Sequence, residues 1–220
     1  MIKKGVYAAT LSILDENYSL NVEETIAHAE NIIKDGLHGV FFFGSTGQSQ
    51  LISMAEKKEL VSRLPLSKLK NNFFLGTGFN SLKDNLEFIK YSMEYNFSTF
   101  LIMPPAYYKG NTQEGVFEFY NQIIKNIPKV KIILYNFEKL SGFKFEADFV
   151  KKLVNAFPKN IIGCKDSTYN LYDKLNLKDF LIFPGDESKL LKGLESGCSG
   201  CISAIANVTH KLAREVFDDF

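Results

Sequence analysis

A closed (β/α)8 (TIM) barrel is the α/β fold this sequence predicts, on three observations. Strand-like and helix-like segments alternate along the chain, the alternation repeats eight times, and no Pro- or Gly-rich linker interrupts it. Strands alternating with helices imply a parallel sheet with right-handed crossovers, and eight unbroken repeats favour closure over an open sheet. The 220 residues, 45% of them hydrophobic, suffice for one large core, so residues 1–220 are expected to form a single barrel domain.

The first strand is expected in GVYAATL (5–11). NVEETIAHAENIIKDG follows, with apolar residues at helical spacing, Asn21 placed as an N-cap and Gly36 placed to end the helix. GVFFFGS (39–45) and FFLGTG (73–78) are the second and third strands, and SLKDNLEFIKYSMEYN, capped by Ser81, is the helix after the third. TFLIMPP (99–105), KIILYN (131–136), IIGCKD (161–166), FLIFPG (180–185) and GCISA (200–204) complete the eight strands. The helical pattern is weakest around YNLYDKLN, where the sixth helix belongs. Within IIGCKD, strict alternation puts Gly163 and Lys165 on one face and Ile162 and Cys164 on the other, leaving room beside the lysine.

Charge narrows the function. Lys plus Arg (26) nearly cancels Asp plus Glu (25) and no long basic run occurs, so the electrostatic footprint of a nucleic-acid binder is missing. The expected partner is a small molecule or another copy of the chain. No segment approaches a membrane span. The start, MIKKGVYAATLSILDENYS, imitates a short signal peptide but reads better as a strand running into Asp15 and Glu16, so the cytoplasm is the expected compartment. Cys198 and Cys201 form a CxxC, yet Cys164, His28, His38 and His210 lie scattered along the chain, so buried thiols are expected there and no metal.

In such a barrel the active residues sit at the carboxyl ends of the strands. Here those ends carry Gly44-Ser45-Thr46-Gly47 after the second strand, Tyr107 and Tyr108 after the fourth, Tyr135 on the fifth, Lys165 on the sixth, and Gly185-Asp186-Glu187 after the seventh. Tyr135 and Lys165 end neighbouring strands in phase with inward positions, so phenol and amine should lie side by side. An amine kept from water can condense with a ketone, and the protonated imine is an electron sink for making or breaking a carbon–carbon bond. Across the mouth, the GSTG turn offers N–H groups and two hydroxyls as a cradle for a carboxylate. Together they describe a site for a 2-oxo acid.

Six segments in register, GSTGQSQLIS, PPAYYKGNTQEG, YNFEKLSG, GCKDST, PGDES and GCSGCISAIANV, make the chain resemble the dihydrodipicolinate synthase and N-acetylneuraminate lyase family of pyruvate-dependent class I aldolases. The resemblance implies that Lys165 is the Schiff-base lysine, that Tyr135 relays protons, and that Ser45 and Thr46 hold the pyruvyl carboxylate. It implies that Tyr108 reaches into the active site of an adjoining subunit, in a homo-oligomer such as a dimer or tetramer. Ser167, Gly185, Asp186 and Glu187 fall where the family contacts the rest of the substrate. No cofactor is implied beyond the covalent Schiff base.

Two departures stand out. Synthases of this family usually carry an arginine where this chain has Leu140, and leucine cannot bind an acidic substrate. The LSG of residues 140–142 and the Asp-Glu of PGDE lean toward the neuraminate lyases, whereas the ANV of residues 206–208 leans toward the synthases. The chain also stops at Phe220, where the eighth helix should be in progress, and lacks the further helical region usual in the family; it is expected to be a fragment or a reduced version. Three readings follow. The first is a lyase or aldolase acting on a hydroxylated 2-oxo acid, such as a sialic acid or a 2-keto-3-deoxy sugar acid. The second is a 4-hydroxy-tetrahydrodipicolinate synthase condensing pyruvate with aspartate semialdehyde, with Lys139 replacing the arginine. The third is a non-catalytic or inactive member that binds a 2-oxo acid.

Overall fold

The computed structural model describes residues 2–220. Eight parallel strands run β1 (Gly5–Ala9), β2 (Gly39–Phe42), β3 (Phe73–Gly76), β4 (Thr99–Ile102), β5 (Lys131–Asn136), β6 (Ile161–Asp166), β7 (Leu181–Pro184) and β8 (Gly200–Ser203). They hydrogen-bond in the order β7-β6-β5-β4-β3-β2-β1-β8. Ser199 joins the two ends: its N–H donates to Ile182 O at 2.8 Å and its hydroxyl accepts from Ile182 N–H at 3.3 Å. The result is a nearly closed (β/α)8 barrel.

The helices among the described residues are α1 (Val22–Lys34), α2 (Met54–Arg63), α3 (Leu82–Glu94), α4 (Gln113–Asn126), α5 (Glu138–Ser141), α6 (Ala147–Ala156), α7 (Leu190–Glu195) and α8 (Ala206–Asp218). The Asn21 side chain accepts from Glu24 N–H and the Ser81 side chain from Asp84 N–H, so both caps work as their residue types dictate. The sixth β/α repeat departs from expectation. The segment around Leu171 forms only a 3-10 turn, Leu171–Asp173, because nothing there supplies an amphipathic stretch long enough to cover a strand. The eighth helix is present and kinks at Thr209.

Side chains divide into two apolar layers. Inside the barrel, Tyr7, Phe41, Phe74, Leu101, Ile133, Phe183 and Ile202 interdigitate, with the Tyr7 ring set edge-on against Phe41, Phe74 and Phe183. Outside, Leu60 and Val61 of α2, Phe88 and Ile89 of α3, Tyr120 of α4 and Phe149 of α6 seal the helices to the sheet. This solid interior is what puts the chemistry at the mouth.

Strict alternation in β6 gives way at one point. The pairing register shifts between Ile132 and Ile133, which sit opposite Ile161 and Gly163, so Ile162 is an extra residue in the ladder. Ile162 packs against the inner layer while Cys164 lies in the outer one. The expected room beside Gly163 is also absent: a Cβ there would stand 2.6 Å from Leu181 O, so the glycine serves the close approach of β7. Beyond the bulge Tyr135 pairs with Lys165 and Asn136 with Asp166.

Candidate active site

Lys165 is 2% exposed and Tyr135 4%, both at the carboxyl end of the barrel. The Lys165 Nζ stands 4.5 Å from the centre of the Tyr135 ring, over its face. The Tyr135 hydroxyl is in turn hydrogen-bonded to Ser45 Oγ at 2.8 Å, linking the end of β5 to the loop after β2 across the mouth. Amine, phenol and serine hydroxyl therefore form a chain of three polar groups on one side of a cavity of about 370 Å³.

The loop bearing Ser45 and Thr46 is held differently from the way its glycines suggest. Its left-handed residues are Phe43 (φ 59) and Gln48 (φ 49), which bracket the GSTG turn. Such conformations cost a non-glycine residue of order 1 kcal/mol or more and persist where surrounding contacts over-determine them. The Phe43 ring packs on Phe42 and Phe88, and Ser12 Oγ donates to Gly47 O at 2.7 Å, pinning the loop to the segment after β1.

The cavity brings together Ser45, Thr46, Tyr135, Lys165, Ser167, Gly185 and Asp186. Gly185 sits so close to Ser167 that a Cβ would collide with its side chain, which seats the loop after β7 on the loop after β6. The Asp186 carboxylate accepts from Ser188 N–H at 2.9 Å and caps the turn that follows. Two other residues singled out from the sequence lie outside the lining. Glu187 accepts from Ser203 Oγ at 2.5 Å and from Thr209 Oγ1 at 2.7 Å, so both carboxylate oxygens are engaged in tying the loop after β7 to the end of β8 and to α8. Tyr108 is 80% exposed and stacks edge-to-face on Tyr107.

Leu140 lies elsewhere too. It lines a second, more apolar cavity of about 260 Å³ with Gly44, Leu51 and Met103. Ser45 and Tyr135 line both cavities, so their hydrogen bond forms a common wall.

Several residues of the site were not apparent from the sequence. Asp166, which directly follows the lysine, is buried; desolvation raises its pKa, while bonds from the N–H groups of Leu171, Thr168 and Tyr169 work against that rise. It also accepts from Asn136 Nδ2 at 2.9 Å, and so organises the loop beyond Lys165. Thr168, Lys139 and Lys189 join the lining, and only the last has no signal of its own, being one lysine of a polar turn. The Cys198 and Cys201 thiols are pushed up to about 12 by burial, far from the reactive thiolate range.

The model of the dihydrodipicolinate synthetase family matches residues 3–220. A 4-hydroxy-tetrahydrodipicolinate synthase from Bartonella bacilliformis is 31% identical over 222 residues, covering 97% of this chain and 74% of the relative. Dihydrodipicolinate synthase from Agrobacterium tumefaciens superposes with a TM-score of 0.90 at 25% identity, over 97% of this chain and 77% of that one. The 2-keto 3-deoxygluconate aldolase from Picrophilus torridus shares the fold, with a TM-score of 0.87 at 24% identity over all of this chain and 80% of that one. On the family match and on this likeness, the chain belongs to the dihydrodipicolinate synthetase family, whose members are pyruvate-dependent lyases.

Proposed function

We propose that this chain is a class I aldolase that forms or cleaves a hydroxylated 2-oxo acid through a Schiff base on Lys165, with residues 1–220 acting as one domain. The observation that carries the reading is the buried Lys165 amine set over the Tyr135 ring, whose hydroxyl is bonded to Ser45 at the edge of a polar cavity. In the cleavage direction the Lys165 amine adds to the ketone carbon, and loss of water from the carbinolamine gives the protonated imine. Breaking the bond between the α-carbon and the hydroxyl-bearing β-carbon sends its electron pair into that imine as an enamine, while the β-hydroxyl gives up a proton and its carbon becomes an aldehyde. Protonation of the enamine and hydrolysis of the imine release pyruvate. Tyr135 is placed to move these protons, with Ser45 as its partner, and the N–H groups and hydroxyls of Ser45 and Thr46 face the carboxylate.

Ser167, Thr168, Gly185 and Asp186 line the part of the cavity left for the remainder of the substrate. Hydroxyl groups there can donate to Asp186 and accept from Ser167 and Thr168. Tyr108, exposed on its own subunit, is assigned to the active site of an adjoining one in a homo-oligomer.

A second reading has the identity of the Bartonella relative in its favour: condensation of pyruvate with aspartate semialdehyde. It lacks a cation at position 140, and a charge-assisted hydrogen bond is worth about 1.5–3 kcal/mol, so use of the semialdehyde is expected to be down roughly 10- to 100-fold. Measuring kcat/KM for pyruvate with aspartate semialdehyde, and for a panel of sialic and 2-keto-3-deoxy sugar acids, separates the two. Cleavage of a sugar acid with weak use of the semialdehyde supports the aldolase. The opposite ranking moves the chain to the synthase reading.

A further inference from the structure

One step beyond the Tyr135–Lys165 pair, on the same two strands, stands a second pair, Asn136 and Asp166. Asn136 is fully buried and Asp166 is 2% exposed, and no ion pair among the described residues includes the aspartate. The groups bonded to its carboxyl are all donors. Asn136 Nδ2 at 2.9 Å, Thr168 N–H at 3.1 Å and Tyr169 N–H at 3.3 Å reach Oδ1, and Leu171 N–H reaches Oδ2 at 2.8 Å. A proton on this carboxyl would find no acceptor among them, so the arrangement suits the carboxylate.

The missing sixth helix explains why one side chain collects so many N–H groups. A helix after β6 would have paired most of its N–H groups within itself, whereas the loop and 3-10 turn that replace it present three of theirs to Asp166. The same residue reaches both neighbouring strands. Its carbonyl accepts from Gly185 N–H at 2.8 Å, just past β7, and its carboxylate binds the amide that ends β5. Asn136 continues the bridge: its Oδ1 accepts from Phe145 N–H at 3.1 Å and its carbonyl from Ser167 N–H at 2.8 Å. The loops after β5, β6 and β7 are thus joined through two residues, each next in the chain to Tyr135 or Lys165.

We propose that Asp166 is a positioning residue for the Schiff-base reaction. Through Asn136 and the N–H groups of the loop after β6, it holds the ends of β5 and β6 so that the Lys165 amine and the Tyr135 ring meet in reacting geometry, and it seats Ser167 and Thr168 in the cavity. It touches no reacting atom in this role. The role rests on the Schiff-base reading of Lys165. Asp166→Asn keeps the size and shape of the side chain but turns an NH2 group toward donors, whichever way the amide is oriented. At least one of the four hydrogen bonds becomes a donor–donor contact, and the two strand ends lose their fixed alignment.

The test follows imine formation with pyruvate, quenched by borohydride at timed intervals and mapped by peptide mass, over a series of pyruvate concentrations. Rates are normalised to the folded fraction read by circular dichroism, which separates loss of stability from loss of alignment. Asp166→Asn is expected to form the same Lys165 adduct about 10- to 100-fold more slowly per folded molecule, since a misplacement of about 1 Å costs on that order. The pyruvate concentration that gives half the maximal rate should change by less than about threefold, because Ser45 and Thr46 are untouched. Asn136→Ser, which removes the amide bridge and leaves the carboxylate, should slow the reaction in the same direction, and it carries the comparison if Asp166→Asn does not fold. A rate per folded molecule within about threefold of the wild type shows a purely structural role and overturns the proposal, as does a loss confined to the half-saturating concentration. Equal rates on Lys165 in variant and wild type defeat the positioning role alone, whereas no Lys165 adduct in the wild type defeats the Schiff-base reading and this role with it.

Discussion

Among the described residues the Tyr135 hydroxyl has one hydrogen-bond partner, Ser45 Oγ, and its ring lies under the Lys165 amine. Tyr135→Phe keeps the ring and removes the hydroxyl. Turnover should fall by about 10²–10⁴-fold, the usual contribution of a placed acid–base group, while imine formation with pyruvate remains detectable. Single-turnover kinetics read both, and near-normal turnover would take Tyr135 out of the proton path. At this scale the sequence was legible wherever a polar residue ends an apolar strand: Lys165, Tyr135 and the GSTG turn all stand out in that way. Glu187 was not legible, because its neighbour Asp186 faces the cavity while Glu187 turns to Ser203 and Thr209, and only the three-dimensional path of the loop separates them. Lys189 escaped notice because its place in the lining exists only once β6 and β7 are adjacent.

Among the elements, β5 and β6 occupy the spans read from their apolar runs, while β1 to β4 end two or three residues earlier than those runs and β7 and β8 one residue earlier. The difference is physical: past Ala9 the chain stays buried through Thr10, and past Phe42 through Phe43 and Gly44, but it leaves the ladder there to build the loops of the mouth. The bulge at Ile162 could not be read from a period-two pattern, since it depends on the pairing with β5. Gly163 is its neighbour, and the close approach to Leu181 O makes a specific demand. Gly163→Ala should destabilise the fold by about 1–3 kcal/mol, because a backbone carbonyl cannot give way as a side chain can. Urea unfolding measures it, and a change within a few tenths of a kcal/mol would show that β6 and β7 can separate without loss.

Over the whole molecule, the alternation of eight strands with helical segments was enough to read the barrel, because each repeat writes its own period into the sequence. The sixth helix was the exception, and there the chain covers the barrel with a 3-10 turn and loop. One feature of the closed fold had no signal in the sequence. Lys57, on α2, is fully buried; its Nζ donates to Thr77 O at 2.9 Å and lies 3.7 Å from the centre of the Phe79 ring. Desolvation lowers its pKa to about 7. In the unfolded chain a lysine titrates near 10.4, so between about pH 7 and 10.4 the unfolded state holds a proton that the folded state has released. Stability therefore gains with rising pH across that window, and the gain is lost as pH falls through about 7. Relative to Lys57→Met, the wild type should become more stable between about pH 7 and about pH 9.5 in urea unfolding; parallel pH profiles for the two would show that the amine keeps its proton when buried.

A Schiff base on Lys165 is a covalent link, and mass spectrometry can read it directly. The chain is incubated with pyruvate, reduced with borohydride, digested and mapped, beside a Lys165→Ala variant shown by circular dichroism to be folded. The Schiff-base account predicts one stable pyruvate-derived adduct on Lys165 and none in the variant. An adduct on another lysine, or no adduct in the folded wild type, would contradict it.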